Sequence, residues 1–131
     1  MLDRRAFLIA MAAVSSLASA PAALAADHTA YTRQAFEDAQ KAGKPILVEI
    51  TASWCPTCKA QKQVLGHLLP AAEHANLVVF EVDFDSQKDV VRAFGARMQS
   101  TLITFKGATE VGRLVGETRA DAIKQLLDAT I

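Results

Sequence analysis

The chain is poor in cysteine and in aromatic rings, with two Cys, one Trp, one Tyr and six Phe in 131 residues. A single pair of sulfurs excludes the disulfide framework that holds many small exported scaffolds together. An excess of charge of either sign is also missing: 14 basic and 14 acidic side chains give a formal net charge of zero. That balance makes no case for nucleic acid as a partner. No internal repeat and no low-complexity segment appears beyond the N-terminus.

Charge is absent altogether from Ala6 to Ala26, a stretch that follows Arg4-Arg5 and ends in Ala23-Leu24-Ala25. Residues 1–25 therefore read as an export signal. Ser15, Ser16, Ser19 and Pro21 interrupt the run and favour a cleaved signal over a retained anchor, so no membrane span is expected after cleavage. Arg4-Arg5-Ala6-Phe7-Leu8 is similar to the twin-arginine export motif, from which Asp3 and Ile9 depart; general secretion is the other route. What remains, residues 26–131, has twelve basic and thirteen acidic side chains and is long enough for one domain with one modest core. An exported chain meets an oxidising compartment, and the bacterial periplasm is the expected location.

Along that domain, Thr32 is placed to cap a helix running to about Ala42, with Ala35, Phe36 and Ala39 on one face and Gly43 and Pro45 beyond its end. Ile46 to Thr51 is a mostly apolar run typical of a strand covered on both sides, and Glu49 is the anomaly within it. A second helix begins at the cysteines, with Pro56 in its first turn, and carries Ala60, Val64, Leu65, Leu68 and Leu69 at helical spacing up to Pro70. Leu77 to Asp83 predicts another buried strand. Ser86 with Asp89 predicts a capping box opening a short helix to Phe94, closed by Gly95. Thr101–Phe105 and Glu110–Val115 predict a hairpin turning at Gly107, and Thr118 with Asp121 predicts the cap of a last amphipathic helix. Strands alternating with helices, then a hairpin, imply an α/β fold: a central mixed sheet with helices on both faces.

Both cysteines lie in Trp54-Cys55-Pro56-Thr57-Cys58, directly after the first predicted strand. A bridge between them closes too short a loop to stabilise the fold much, so stability does not explain the pair. Redox chemistry does. At the start of a helix, Cys55 faces unsatisfied backbone N–H groups and the positive end of the macrodipole, which favour thiolate over thiol. Cys55 is the expected attacking sulfur, and Cys58, one turn further in, the resolving one.

Glu49, desolvated in an apolar strand, suits a proton relay to Cys58; as an edge-strand carboxylate it would point to water instead. Trp54 is either an apolar lip beside the sulfurs or part of the core. Zinc is the rival for any C-x-x-C and needs more ligands, for which His28, His67 and His74 are the candidates. The spacing brings none of them to the cysteines, and no metal or other cofactor is expected within one chain.

Ala52-Ser53-Trp54-Cys55-Pro56-Thr57-Cys58-Lys59 resembles the W-C-x-x-C-K active site of the thioredoxin family, and the order of elements resembles the thioredoxin fold over the whole of residues 26–131. The resemblance implies a thiol:disulfide oxidoreductase with protein thiols and disulfides as partners. It places Glu49 where the family has a buried acid, and Trp54, Pro56, Gln99 and Ser100 where it contacts substrate. Ser100 stands at the position of the family's cis-proline; with a non-proline cis bond costing about 2.5–4 kcal/mol, a trans bond is expected there. Pro56-Thr57 resembles the pair in thioredoxin-like reductases that serve cytochrome c maturation. That implies reduction of partners and a membrane-bound thiol electron donor. The alternative is a thioredoxin-like module that captures a partner, or shares a metal or cluster between two chains, without turnover.

Overall fold

The computed structural model describes residues 26–131; the expected export signal, residues 1–25, lies outside the described residues. The elements run β1 (Asp27–Ala30), α1 (Arg33–Lys41), β2 (Pro45–Thr51), α2 (Pro56–Leu68), a 3-10 turn at Ala72–His74, β3 (Val78–Asp83), α3 (Lys88–Ala93), β4 (Thr101–Lys106), β5 (Thr109–Val115) and α4 (Ala120–Asp128). They form one five-stranded sheet in the order β1-β3-β2-β4-β5. β1, β3 and β2 are parallel, and β4 and β5 are antiparallel additions on the other edge. This is the mixed sheet flanked by helices that the sequence implies.

β2 is the central strand, and its alternation divides the core in two. Ile46, Val48 and Ile50 join Phe36, Phe80, Val91 and Phe105 on the side of α1 and α3. Leu47 joins Leu65, Leu69, Val79, Leu102, Ile123 and Leu127 on the side of α2 and α4. Side chains that alternate across a pleated strand give each face its own layer, and both layers are apolar because helices cover both. Glu49 falls on the α2 side, buried mid-strand, so the reading of it as an edge-strand carboxylate is replaced.

Local signals explain most of the boundaries. Thr32 Oγ1 accepts from the Ala35 N–H at 3.2 Å and caps α1, as its sequence position predicts. Pro56 takes the first position of α2, which ends at Leu68 two residues before Pro70. Gly107 turns the β4–β5 hairpin at φ 58, a conformation that favours glycine. At Gly112 a Cβ would come within 2.5 Å of Leu126 Cδ1, so the absence of a side chain there lets α4 pack onto β5.

Two predicted caps do not form, and one strand was not anticipated. Ser86 and Asp89 make no capping box: α3 starts after Gln87, without a side-chain cap. The Asp83 carboxylate instead accepts from the backbone of Asp85 and Ser86, tying the turn after β3. Thr118 does not cap α4; the Glu117 carboxylate reaches the backbone N–H groups of Thr118 and Arg119 at 3.0 and 2.8 Å. In both places a longer-armed or earlier acid occupies the backbone donors first. β1 was missed because Asp27-His28-Thr29-Ala30 has no apolar run; it is held by backbone pairing along the edge of β3.

Candidate active site

The cysteines sit just beyond the C-terminal end of the central parallel strand, the end at which open α/β sheets place their sites. The chain leaves β2 at Thr51 and turns through Ala52-Ser53-Trp54, with the Cys55 N–H donating to the Ala52 carbonyl at 3.2 Å. Cys55 is the N-cap of α2, and its sulfur accepts from the Cys58 backbone N–H at 3.1 Å. A thiol in the place usually taken by a capping hydroxyl or carboxylate is held against an orphan donor of the helix. Both cysteines are free thiols and little exposed, Cys55 at 4% and Cys58 at 2%. They also line one shallow surface depression with Ser53, Lys59, Lys62, Glu81 and Asp83.

Opposite the sulfurs stands Ser100. Its Oγ lies 3.1 Å from Cys55 Sγ and 3.1 Å from Cys58 Sγ, and the residue is 3% exposed. Among the described residues no peptide bond is cis, as expected for a non-proline residue at this position, and Ser100 is the one non-glycine residue with positive φ, 59°. Its carbonyl accepts from Gln61 Nε2 at 3.0 Å and from the Gly116 N–H at 2.9 Å. Burial pushes the Cys58 thiol up, but hydrogen bonds from Cys55, Ser100, Ala52 and Thr51 outweigh it and leave its pKa below the ordinary thiol value.

Glu49 is 4% exposed and packs in one tight seam with Thr51, Cys58, Gln61 and Lys62, too narrow to hold a water. Desolvation by burial holds its pKa above the ordinary carboxylate range; the Lys62 ammonium opposes the shift, Glu81 adds to it, and His28 opposes it. Lys62 Nζ is 3.6 Å from Glu49 and 2.8 Å from Glu81, the residue paired with Glu49 in register across β2 and β3. One half-exposed ammonium thus serves two carboxylates, and the buried one is the less well compensated.

Trp54 is 58% exposed, with its indole N–H donating to Asp85 Oδ2 at 2.7 Å, so the reading of it as core is replaced. Pro56 is exposed and Gln99 half-buried, next to an exposed Met98. His67 is exposed on α2, and His74 is buried against the Leu68 carbonyl and Asp128. Glu73, His74 and Asp128 come within ligand distance of one another, a grouping that involves neither cysteine and that Lys124 already neutralises. His28 reaches the neighbourhood of Glu49 through β1, which the sequence reading lacked. Gln61 was missed as well; the available signal was an amide one turn after Cys58 on the helix face that carries Leu65.

Comparison with known proteins agrees with this geometry. Residues 27–129 match the family model described as Thioredoxin. The chain is similar to Thioredoxin Asp f 29 of Aspergillus fumigatus, 32% identical over 80 residues that cover 61% of this chain and 73% of that protein. It is 27% identical over 117 residues to a Thioredoxin H-type of Brassica campestris, covering 89% of this chain and 94% of the relative. The crystal structure of Trxlp from Edwardsiella tarda superposes with a TM-score of 0.75 at 40% identity, covering 77% of this chain and 98% of that one. A free C-x-x-C pair at the N-terminus of α2, on this sheet and with these relatives, makes the chain a member of the thioredoxin family and a protein disulfide oxidoreductase.

Proposed function

We propose that the protein reduces disulfides of other proteins in the bacterial periplasm. Cys55 is the attacking sulfur and Cys58 the resolving one. The observation that carries this reading is the capping geometry: the Cys55 sulfur replaces an N-cap oxygen and accepts the Cys58 N–H at 3.1 Å. Negative charge at Cys55 is therefore met by a backbone donor and by the helix dipole. The Cys55 thiolate attacks a partner's disulfide, forming a mixed disulfide and expelling one partner thiolate. Cys58 then gives up its proton, attacks Cys55 Sγ and expels the second. The products are the partner dithiol and a Cys55–Cys58 disulfide, with two electrons and two protons passed to the partner.

Glu49, packed in the same tight seam as Cys58, is the group assigned to take the Cys58 proton. Trp54 and Pro56 form the exposed rim for the partner polypeptide, together with Gln99. The export signal read in residues 1–25 supports the periplasmic location, and the Pro56-Thr57 pair supports the reducing direction. A membrane-bound thiol donor returns the disulfide to the dithiol.

An insulin-reduction assay on the protein purified after export, with dithiothreitol as donor, tests the chemistry. Wild type turns over, Cys55→Ser and Cys58→Ser do not, and Cys58→Ala leaves partners covalently attached to Cys55 in cells. An inactive wild type, or no adducts on Cys58→Ala, sinks the exchange reading in favour of a binding module. Cell fractionation tests the location, and recovery with the cytoplasmic fraction overturns it.

A further inference from the structure

The exchange mechanism uses two sulfurs and a carboxylate, but not the hydroxyl that touches both sulfurs. Ser100 Oγ is 3.1 Å from each, is shielded from water, and has the two sulfurs as its side-chain partners. A hydroxyl has one proton to donate and lone pairs to accept with. That capacity matches one particular state of the pair: the O–H donates to a thiolate while the S–H of the other cysteine donates to the oxygen. When the pair closes to a disulfide, the S–H is gone and the anionic acceptor is gone with it. The buried hydroxyl then faces two sulfurs that accept weakly, which is the costly outcome for a buried donor.

The backbone shows that this hydroxyl is held in place. Ser100 adopts φ 59, a region that non-glycine residues enter seldom and that marks functional positions when the surroundings enforce it. The enforcing group comes from the redox helix itself. Gln61, one turn after Cys58 and buried, donates through Nε2 to the carbonyls of Ser100 and Glu117, each at 3.0 Å. The Gly116 N–H closes the same carbonyl from the other side. The helix that carries the sulfurs therefore also fixes the loop that aims the hydroxyl at them.

We propose that Ser100 is a catalytic residue of the redox couple, its hydroxyl stabilising the reduced, singly ionised cysteine pair over the disulfide and so raising the midpoint potential. The inference rests on the proposed function, in which Cys55 and Cys58 cycle between dithiol and disulfide. Its consequence is that the chain is a milder reductant than its C-x-x-C on this helix would otherwise be, and its thiolate is present at lower pH. Gln61 is a positioning residue for the same effect.

The test equilibrates the exported protein, Ser100→Ala and Ser100→Gly with reduced and oxidised glutathione, and reads the Cys55–Cys58 disulfide fraction by alkylation and mass. Two protons and two electrons pass from the cysteines to glutathione disulfide as the bridge forms. Ser100→Gly removes the hydroxyl while relieving the positive φ, so a folded hydroxyl-free protein is available even where alanine strains the loop. Both variants are expected to favour the disulfide about tenfold more than wild type, a potential about 30 mV more negative, the order for one charge-assisted hydrogen bond lost. Ultraviolet titration of thiolate absorbance is expected to move to higher pH in both. Equal potentials and titrations in wild type and both variants overturn the role of Ser100 and leave the exchange reading standing. A wild type that forms no Cys55–Cys58 disulfide with glutathione overturns both.

Discussion

The two faces of the sheet carry different chemistry although the same strands supply them. On the α1/α3 side, Tyr31, Phe36, Phe80, Phe94 and Phe105 pack with ring centroids between 5.3 and 6.2 Å apart, mostly edge to face. On the α2/α4 side the core is aliphatic, and it holds the buried Glu49, Gln61 and His74. β2 makes the division by period two, with Ile46, Val48 and Ile50 to one side and Leu47 and Glu49 to the other. Well-oriented aromatic pairs add to area burial, whereas buried polar groups cost stability unless every one is satisfied. Both faces are closed by apolar packing, but the buried polar groups lie on one of them, the face covered by α2, the helix that begins at the cysteines.

The largest effect that tests this division is on the dry face. Phe80 is fully buried among the rings, and Phe80→Ala is expected to cost about 3–5 kcal/mol by urea unfolding, from lost transfer energy and the cavity left behind. The glutathione potential of the cysteine pair stays where it is. A shift in potential as large as that of Ser100→Ala would show the two faces to be mechanically one.

The next effect has the opposite sign. Glu49 has a raised pKa in the folded chain, because burial penalises its charge more than Lys62 compensates. Between its unfolded and folded values the folded state therefore binds the extra proton. Stability is undiminished below the ordinary carboxylate range and falls as pH rises through the raised pKa. Glu49→Gln removes that fall while Lys62 keeps Glu81 at 2.8 Å. The variant is expected to be more stable than wild type at neutral pH by on the order of 1 kcal/mol and equal to it near pH 4. Urea midpoints at both pH values check this. A less stable variant at neutral pH would mean that the Lys62 pair outweighs desolvation.

Much of this was legible in the sequence, and the reasons are local. A short, nearly continuous apolar run, a Pro at a helix start and a glycine at a two-residue turn each have one physical reading, so β2, α2 and the β4–β5 hairpin stand where they are expected. The C-x-x-C was legible because two sulfurs at that spacing have so little structural use. What was not legible depends on competition or distance. Asp83 and Glu117 reach backbone donors that Ser86 and Thr118 were expected to satisfy or neighbour, and nothing in the spacing alone ranks such competitors. β1 has no side-chain signal. The Ser100 hydroxyl meets sulfurs some forty residues earlier in the chain, and no local pattern says which way it turns where a proline is replaced.

The smallest predicted effect lies at the exposed rim of the site. Trp54 is the chain's one tryptophan, and its indole is tied to Asp85 across the mouth of the site. Both residues are exposed, so the tether contributes little to folding: Asp85→Ala is expected to change stability by less than about 0.5 kcal/mol. Its work is to hold the lip still. Without it the indole must be immobilised when a partner docks, at a cost of about 0.5–1.5 kcal/mol for an ordered side chain. Insulin reduction is then expected to show KM raised a few-fold with kcat held, and Trp54 fluorescence anisotropy to fall in the free protein. A fall in kcat with KM unchanged would place the Trp54–Asp85 pair in the chemical step and move the boundary of the site outward from the sulfurs to the rim.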